Sequence, residues 1–163
     1  MMKKIIYVLL SIIFVSCVSM PCIPKEKEYS VLPEQKVDYK INLGSVIVTK
    51  DSVIEHDLSS QVQEMAKTMF MDLSSKQTDD ILYLQIGLKQ RTYYKGIKQK
   101  NSIYFVYSLI DSTDKTMLNN SYTLVTSDSI DSSRLEYELL DHMNSKIRKY
   151  LNKCKDLKLN EKK

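Results

Sequence analysis

Strict alternation of apolar and polar residues begins at Val37. Val37, Tyr39, Ile41 and Leu43 are apolar while Asp38, Lys40 and Asn42 are polar, the period-two pattern of a strand with one buried face. Gly44 interrupts the pattern, as a glycine at a bulge does, before Val46-Ile47-Val48 resume it. The period then changes. Ile54, Leu58, Val62, Met65, Met69 and Leu73 fall three or four apart and predict one amphipathic helix over residues 53–75. Ser52 and Glu55 stand at the spacing of a capping box at its start. Leu82, Leu84, Ile86 and Leu88 alternate again and predict a second strand. Ser102 to Ile110 is apolar on both parities, which predicts a central strand covered at least in part on both faces. Asp111 to Lys115 reads as a turn, residues 117–126 as a fourth strand, and Ser133 with Glu136 as a second capping box. Leu135, Leu139, Met143, Ile147, Tyr150, Leu151 and Cys154 form the stripe of a last helix.

The order strand, helix, three strands, helix predicts an α+β fold over residues 37–155. The expected architecture is a two-layer sandwich: a four-stranded, mainly antiparallel sheet with two helices on one face. The other face is then either polar or covered by a partner. Residues 17–36 hold Pro21, Pro24 and Pro33 and the run Lys25-Glu26-Lys27-Glu28 without core periodicity, and read as a tether reaching about 60 Å at most. Residues 156–163 read as a basic tail.

Composition narrows the chemistry. The formal charge of +4 falls to +2 when Lys3 and Lys4 are discounted, and arginine occurs only at Arg91, Arg134 and Arg148. A nearly neutral, lysine-dominated chain is a poor nucleic-acid reader, so no nucleic-acid partner is expected. Three glycines cannot build a phosphate cradle, and G-x-S-x-G, H-E-x-x-H and C-x-x-C are all absent. No catalytic residue, metal site or bound cofactor is therefore expected, and the chain reads as a non-enzyme. His56 and His142 each lie in a predicted helix beside an acid and read as boundary residues; Met65, Met69 and Met71 read mainly as packing.

One segment is unusual in its charge. Between Asp80 and Asp111 there is no acidic residue, yet Lys89, Arg91, Lys95, Lys98 and Lys100 occur there with Tyr93, Tyr94 and Gly96. This predicts a basic, aromatic hairpin joining the second and third strands. Such a surface suits anionic headgroups, a phosphorylated glycolipid or an acidic protein face. Lys146, Lys149 and Lys153 form a second basic stripe, near the end of the last helix where cations are favourable in any case.

The N-terminus carries Lys3-Lys4, the apolar run Ile5 to Val15, and Ser16-Cys17. The run is too short to span a bilayer, which takes about twenty apolar residues. Phe14-Val15-Ser16-Cys17 resembles the lipobox of bacterial lipoproteins. The resemblance implies a signal peptide over residues 1–16 and a diacylglyceryl and N-acyl lipid on Cys17, the only prosthetic group it implies. Two or more acyl chains hold a protein on a membrane where one does so only marginally.

The stretch from Asp79-Asp80-Ile81-Leu82 to Tyr107-Ser108-Leu109-Ile110-Asp111, with this element order, is similar to the small accessory lipoproteins of the bacterial envelope, notably the LPS-assembly lipoproteins. That resemblance implies an accessory binding subunit in outer-membrane assembly or lipid transport. Its expected partners are an envelope membrane protein or an anionic glycolipid, and its expected place the outer membrane, facing the periplasm. A surface-exposed antigen or adhesin is the alternative. Cys22 and Cys154 are left either as a pair stapling the chain ends or as two free thiols.

Overall fold

A computed structural model describes residues 25–126 and 132–157. The signal segment, Cys17 and Cys22 lie outside the described residues, as does the tail beyond Leu157. The strands are β1 (Lys25–Ser30), β2 (Lys40–Lys50), β3 (Val53–Ile54), β4 (Ile81–Lys95), β5 (Lys98–Asp111) and β6 (Thr116–Thr126). The helices are α1 (His56–Met69), α2 (Met71–Ser74) and α3 (Ser132–Lys155). The strands form one six-stranded mixed sheet in the order β1-β6-β5-β4-β2-β3. The expectation of a four-stranded, mainly antiparallel sheet with two helices is thus corrected: among the described residues there are two more strands, three helices, and one parallel pairing.

Each departure has a local cause. β2 and β4 pair in parallel because the intervening segment crosses over through α1 and returns the chain to the same end of the sheet. The bulge falls between Leu43 and Val46, where a Cβ on Gly44 would stand 3.1 Å from the Leu84 carbonyl oxygen. Asp51 and Ser52 adopt left-handed backbone (φ 48° and 73°) and turn the chain into the short β3. Ser52 is therefore not a helix cap. The residue preceding α1 is Glu55, and Ser59 Oγ ties the helix to the sheet, donating to the Glu55 carbonyl at 2.7 Å and accepting from Val48 N at 3.0 Å. Glu136 is likewise turned inward, accepting weakly from Gln90 Nε2 at 3.5 Å, and burial raises its carboxyl pKa.

The core lies on one face of the sheet. Leu82, Leu84, Ile86 and Leu88 of β4, Ile103, Phe105, Tyr107 and Leu109 of β5, and Leu118, Tyr122 and Leu124 of β6 are buried there. They meet Val62, Ala66 and Leu73 from α1 and α2 and Leu140, Met143, Ile147, Leu151 and Cys154 from α3. Met65 and Met69 pack against this core, whereas Met71 is exposed. Arg148 of α3 clamps the helices together: its guanidinium donates bidentately to Asp72 (2.8 Å twice) and to the Met69 carbonyl at the end of α1 (3.1 Å). At the far end of the sheet Asp111 Oδ1 gathers Thr113 N, Thr113 Oγ1 and Lys115 N, and Asp38 is bridged by Lys76 and Lys155.

β1 lies within the stretch expected to be a tether, residues 17–36, which is corrected to that extent. It pairs with β6 over its whole length, yet residues 26–30 are all exposed, so backbone bonds and charge hold it. Glu26 accepts from Lys146 Nζ (2.6 Å), Asn120 Nδ2 (2.8 Å) and Tyr122 Oη (3.3 Å), and Lys146 also reaches Glu28 at 3.2 Å. Tyr150 Oη donates to the Val31 carbonyl at 2.7 Å just beyond the strand. Under β1 lies a polar seam in which Tyr107 Oη, Asn120 Oδ1 and His142 Nε2 are buried without a hydrogen bond inside the protein. The His142 ring stands edge-on to Tyr122 at 5.0 Å, and burial pushes the Tyr107 hydroxyl up to about 12.

Burial alone would raise the Glu26 carboxyl, but its three donors and the Lys146 charge outweigh it, and the net pKa is lowered. A carboxyl depressed on folding stabilises above its unfolded pKa, and that contribution disappears as pH falls through the folded value. The protection factors of the β1 amides, with intrinsic exchange rates corrected for pH, are therefore expected to fall between about pH 5 and pH 3, ahead of those in β4 and β5. Glu26→Gln should weaken β1 protection at neutral pH and flatten its acid dependence. Uniform loss of protection across the sheet would refute a local role for Glu26.

Candidate functional site

Among the described residues, β4 and β5 outrun their neighbours. The last partner of β4 on β2 is Gln90, paired with Lys50, and the last partner of β5 on β6 is Asn101, paired with Thr126. Beyond them Tyr93↔Lys100, Tyr94↔Gln99 and Lys95↔Lys98 continue as a two-stranded ribbon, projecting roughly 13 Å at about 3.3 Å per residue. Residues 91–99 are all exposed. The Asp51 carboxylate steadies the base, accepting from Thr92 N at 2.9 Å, and Thr92 Oγ1 donates to Asn101 Oδ1 at 3.1 Å.

The register sorts the predicted residues by face. The helices bury the even positions of β4 and the odd positions of β5. Lys89, Arg91, Tyr93 and Lys95 on β4, and Lys98 and Lys100 on β5, therefore share the opposite, uncovered face. Tyr94 is the exception: it points to the helix side of the ribbon with Thr92 and Gln99. All five cations of the segment thus stand on one face, with Lys95 directly opposite Lys98. Like charges directly opposite oppose strand pairing, so this arrangement does not serve the ribbon's own stability.

The same face continues across the sheet, and the sequence pattern missed most of it. Lys27 and Tyr29 of β1, Asn119, Ser121 and Thr123 of β6, Tyr104, Val106 and Ser108 of β5, and Tyr83 and Gln85 of β4 line it. No Asp or Glu occupies a strand position on this face among the described residues. Only helix-side neighbours surround Tyr107 and Phe105, whereas Tyr104 and Tyr83 are open, so β5 is central but covered on one face only. Gly87 keeps the face flat at its middle: an added Cβ would meet Val106 Cγ1 at 2.9 Å. The alternation of β1 was legible, but a charged Lys-Glu run carries no apolar signal to mark it as sheet.

The second basic stripe divides. Lys146 is committed to Glu26 and Glu28, while Lys149 and Lys153 border a shallow groove between α3 and Leu32. Among the described residues no three His, Cys, Asp or Glu side chains come together as metal ligands, and no helix is long and apolar enough to cross a membrane.

No family model matches this chain, and no curated protein matches it. Two solved structures are similar to it in part, both PelC dodecamers from Paraburkholderia phytofirmans. The one in space group C2 has a TM-score of 0.39 and 14% identity, over 78% of this chain and 95% of that chain. The one in space group P6 has a TM-score of 0.41 and 12% identity, over 71% and 91% respectively. Likeness at this level assigns neither a fold nor a function.

The turn at the ribbon's end depends on Gly96, whose φ of +64° at the first of two turn positions matches a type II′ hairpin. Gly96→Ala is expected to cost about 1 kcal/mol locally and to speed exchange of the amides of residues 92–100. The midpoint of global urea unfolding should stay unchanged, since no residue of 91–99 is buried. A shifted midpoint would mean that the ribbon supports the core.

Proposed function

We propose that this chain is a non-enzymatic, membrane-anchored lipoprotein. It acts as an accessory binding subunit in envelope assembly or lipid transport, held by the lipid on Cys17 in the outer membrane and facing the periplasm. Its ribbon and the adjoining open sheet face capture an anionic, phosphorylated glycolipid. The observation that carries this reading is the segregation of Lys89, Arg91, Lys95, Lys98 and Lys100, with Tyr93, onto one acid-free face of a projecting ribbon. Cations gathered at a cost to strand pairing gain most from an anionic partner, which relieves their mutual repulsion. The polar groups of this face are spread over an open surface rather than converging on a cleft, the geometry of a docking surface rather than of a reaction centre. A membrane protein presenting an acidic face is the competing partner, and it is an outcome of the test.

Each cation near an anionic surface is worth about 1 kcal/mol. Replacing Lys89, Arg91, Lys95, Lys98 and Lys100 with Glu is therefore expected to lower capture of phosphorylated glycolipid at low salt by well over tenfold. The corresponding Gln series should show a smaller loss. Circular dichroism checks that each variant is folded. Glycolipid capture unchanged by the reversal, with crosslinking to a membrane protein lost instead, transfers the site to that protein; both unchanged sinks the reading.

A further inference from the structure

The ribbon ends in a residue that its fold does not require. Lys95 and Lys98 form the last pair, and Gly96 and Ile97 make the turn between them. A type II′ turn demands glycine first and favours a small polar residue second. Here the second position is isoleucine, 98% exposed, the most exposed of the large apolar residues among those described. Tyr94, 71% exposed, and Tyr93, 41% exposed, stand just behind it on opposite faces of the ribbon. From the tip inward the order is one aliphatic side chain, two lysines, two tyrosines, then Lys100, Arg91 and Lys89.

That order follows the profile of an anionic bilayer. An aliphatic tip enters the acyl boundary, and lysine stems lie along apolar surface while their ammonium groups stay with the phosphates. Tyrosine phenols sit at headgroup level, and further cations meet the negative surface potential. A protein pocket for Ile97 would have to enclose a point ringed by Lys95 and Lys98 and supply acids for both.

The position of the chain's entry agrees. β1 begins at Lys25, which pairs with Thr123; Thr123 pairs with Tyr104, and Tyr104 with Lys89. The chain therefore enters the sheet at the hairpin's own end. From Lys89 to Lys95 the ribbon rises roughly 20 Å, and from Cys17 to Lys25 an extended chain reaches roughly 27 Å. A lipid on Cys17 and the hairpin tip can thus meet one and the same bilayer.

We infer that the hairpin tip inserts into the interface of an anionic phospholipid bilayer, with Ile97 at the acyl boundary, Tyr93 and Tyr94 among the headgroups, and Lys95 and Lys98 on the phosphates. This deepens the reading of the ribbon as the binding arm and rests on it.

The chain contains no tryptophan, so Ile97→Trp places a single reporter at the tip of the full chain. With vesicles of phosphatidylglycerol in phosphatidylcholine, its emission should shift to the blue and be quenched by brominated acyl chains. Adding Lys95→Glu and Lys98→Glu should weaken partitioning into these vesicles by several hundredfold, at roughly fivefold for each of the charges removed and again for each reversed. Salt at about 1 M, where the Debye length is about 3 Å, should have a similar effect. Gln61→Trp, on the exposed face of α1, should not shift.

An equal shift in the Gln61→Trp chain would mean wholesale adsorption and would overturn the inference. So would an Ile97→Trp emission unmoved by anionic vesicles. If glycolipid capture in that case still depends on the five cations, the binding reading survives without insertion; if it does not, both fall.

Discussion

The structure depends on burying one face of the β4–β5 pair. Leu82, Leu84, Ile86 and Leu88 alternate against Ile103, Phe105, Tyr107 and Leu109, and all eight are almost wholly removed from water beneath the helices. A side-chain period of two makes this choice global, because a slip of one residue would exchange the entire core set for the outer one. The same parity runs on without a break into the projecting ribbon. Packing in the core at the base of the ribbon thus decides that the five cations share a face. Hydrophobic burial sets the register, and the register sets the electrostatics.

Polar contacts close the perimeter that the core leaves open. From α3, Lys146 reaches out to β1 and Arg148 to α2, so one helix secures both flanks of its layer through charge-assisted bonds. These contacts are partly exposed, and solvent and salt reduce their strength. The edge strand they hold accordingly contributes no described side chain to the buried core. Between it and the apolar layer, Tyr107, Asn120 and His142 keep unpaired polar atoms in a buried seam, a combination that makes this flank costly to seal completely.

What was legible in the sequence was whatever the apolar periodicity marks. β2, β4, β6 and α3 announce themselves through their inward residues, and the bulge through Gly44. β1 did not, because Lys25-Glu26-Lys27-Glu28 alternates two charges and its sheet partners supply only hydrogen bonds and Lys146. β3 did not, because Val53 and Ile54 also fit the start of a helical stripe; the left-handed Asp51 and Ser52 that divert the chain carry no glycine to signal it. The parallel pairing of β2 with β4 is a consequence of the crossover and not of either strand's own residues. For the candidate site, the charge gap from Asp80 to Asp111 was readable. Its one-sidedness needed the register, and the significance of Ile97 needed the turn.

The acids at the far end of the sheet are neutralised locally. Asp38 is shared by Lys76 and Lys155, and Asp111 is wrapped by the Thr113 and Lys115 amides, so that end is balanced within itself. No acid interrupts the sequence from Ile81 to Ile110 that holds the ribbon's cations. Positive charge is therefore concentrated on the ribbon that ends in Gly96 and Ile97. In front of a negatively charged plane such a body feels a torque as well as a pull, and it turns hairpin-first while still a Debye length away.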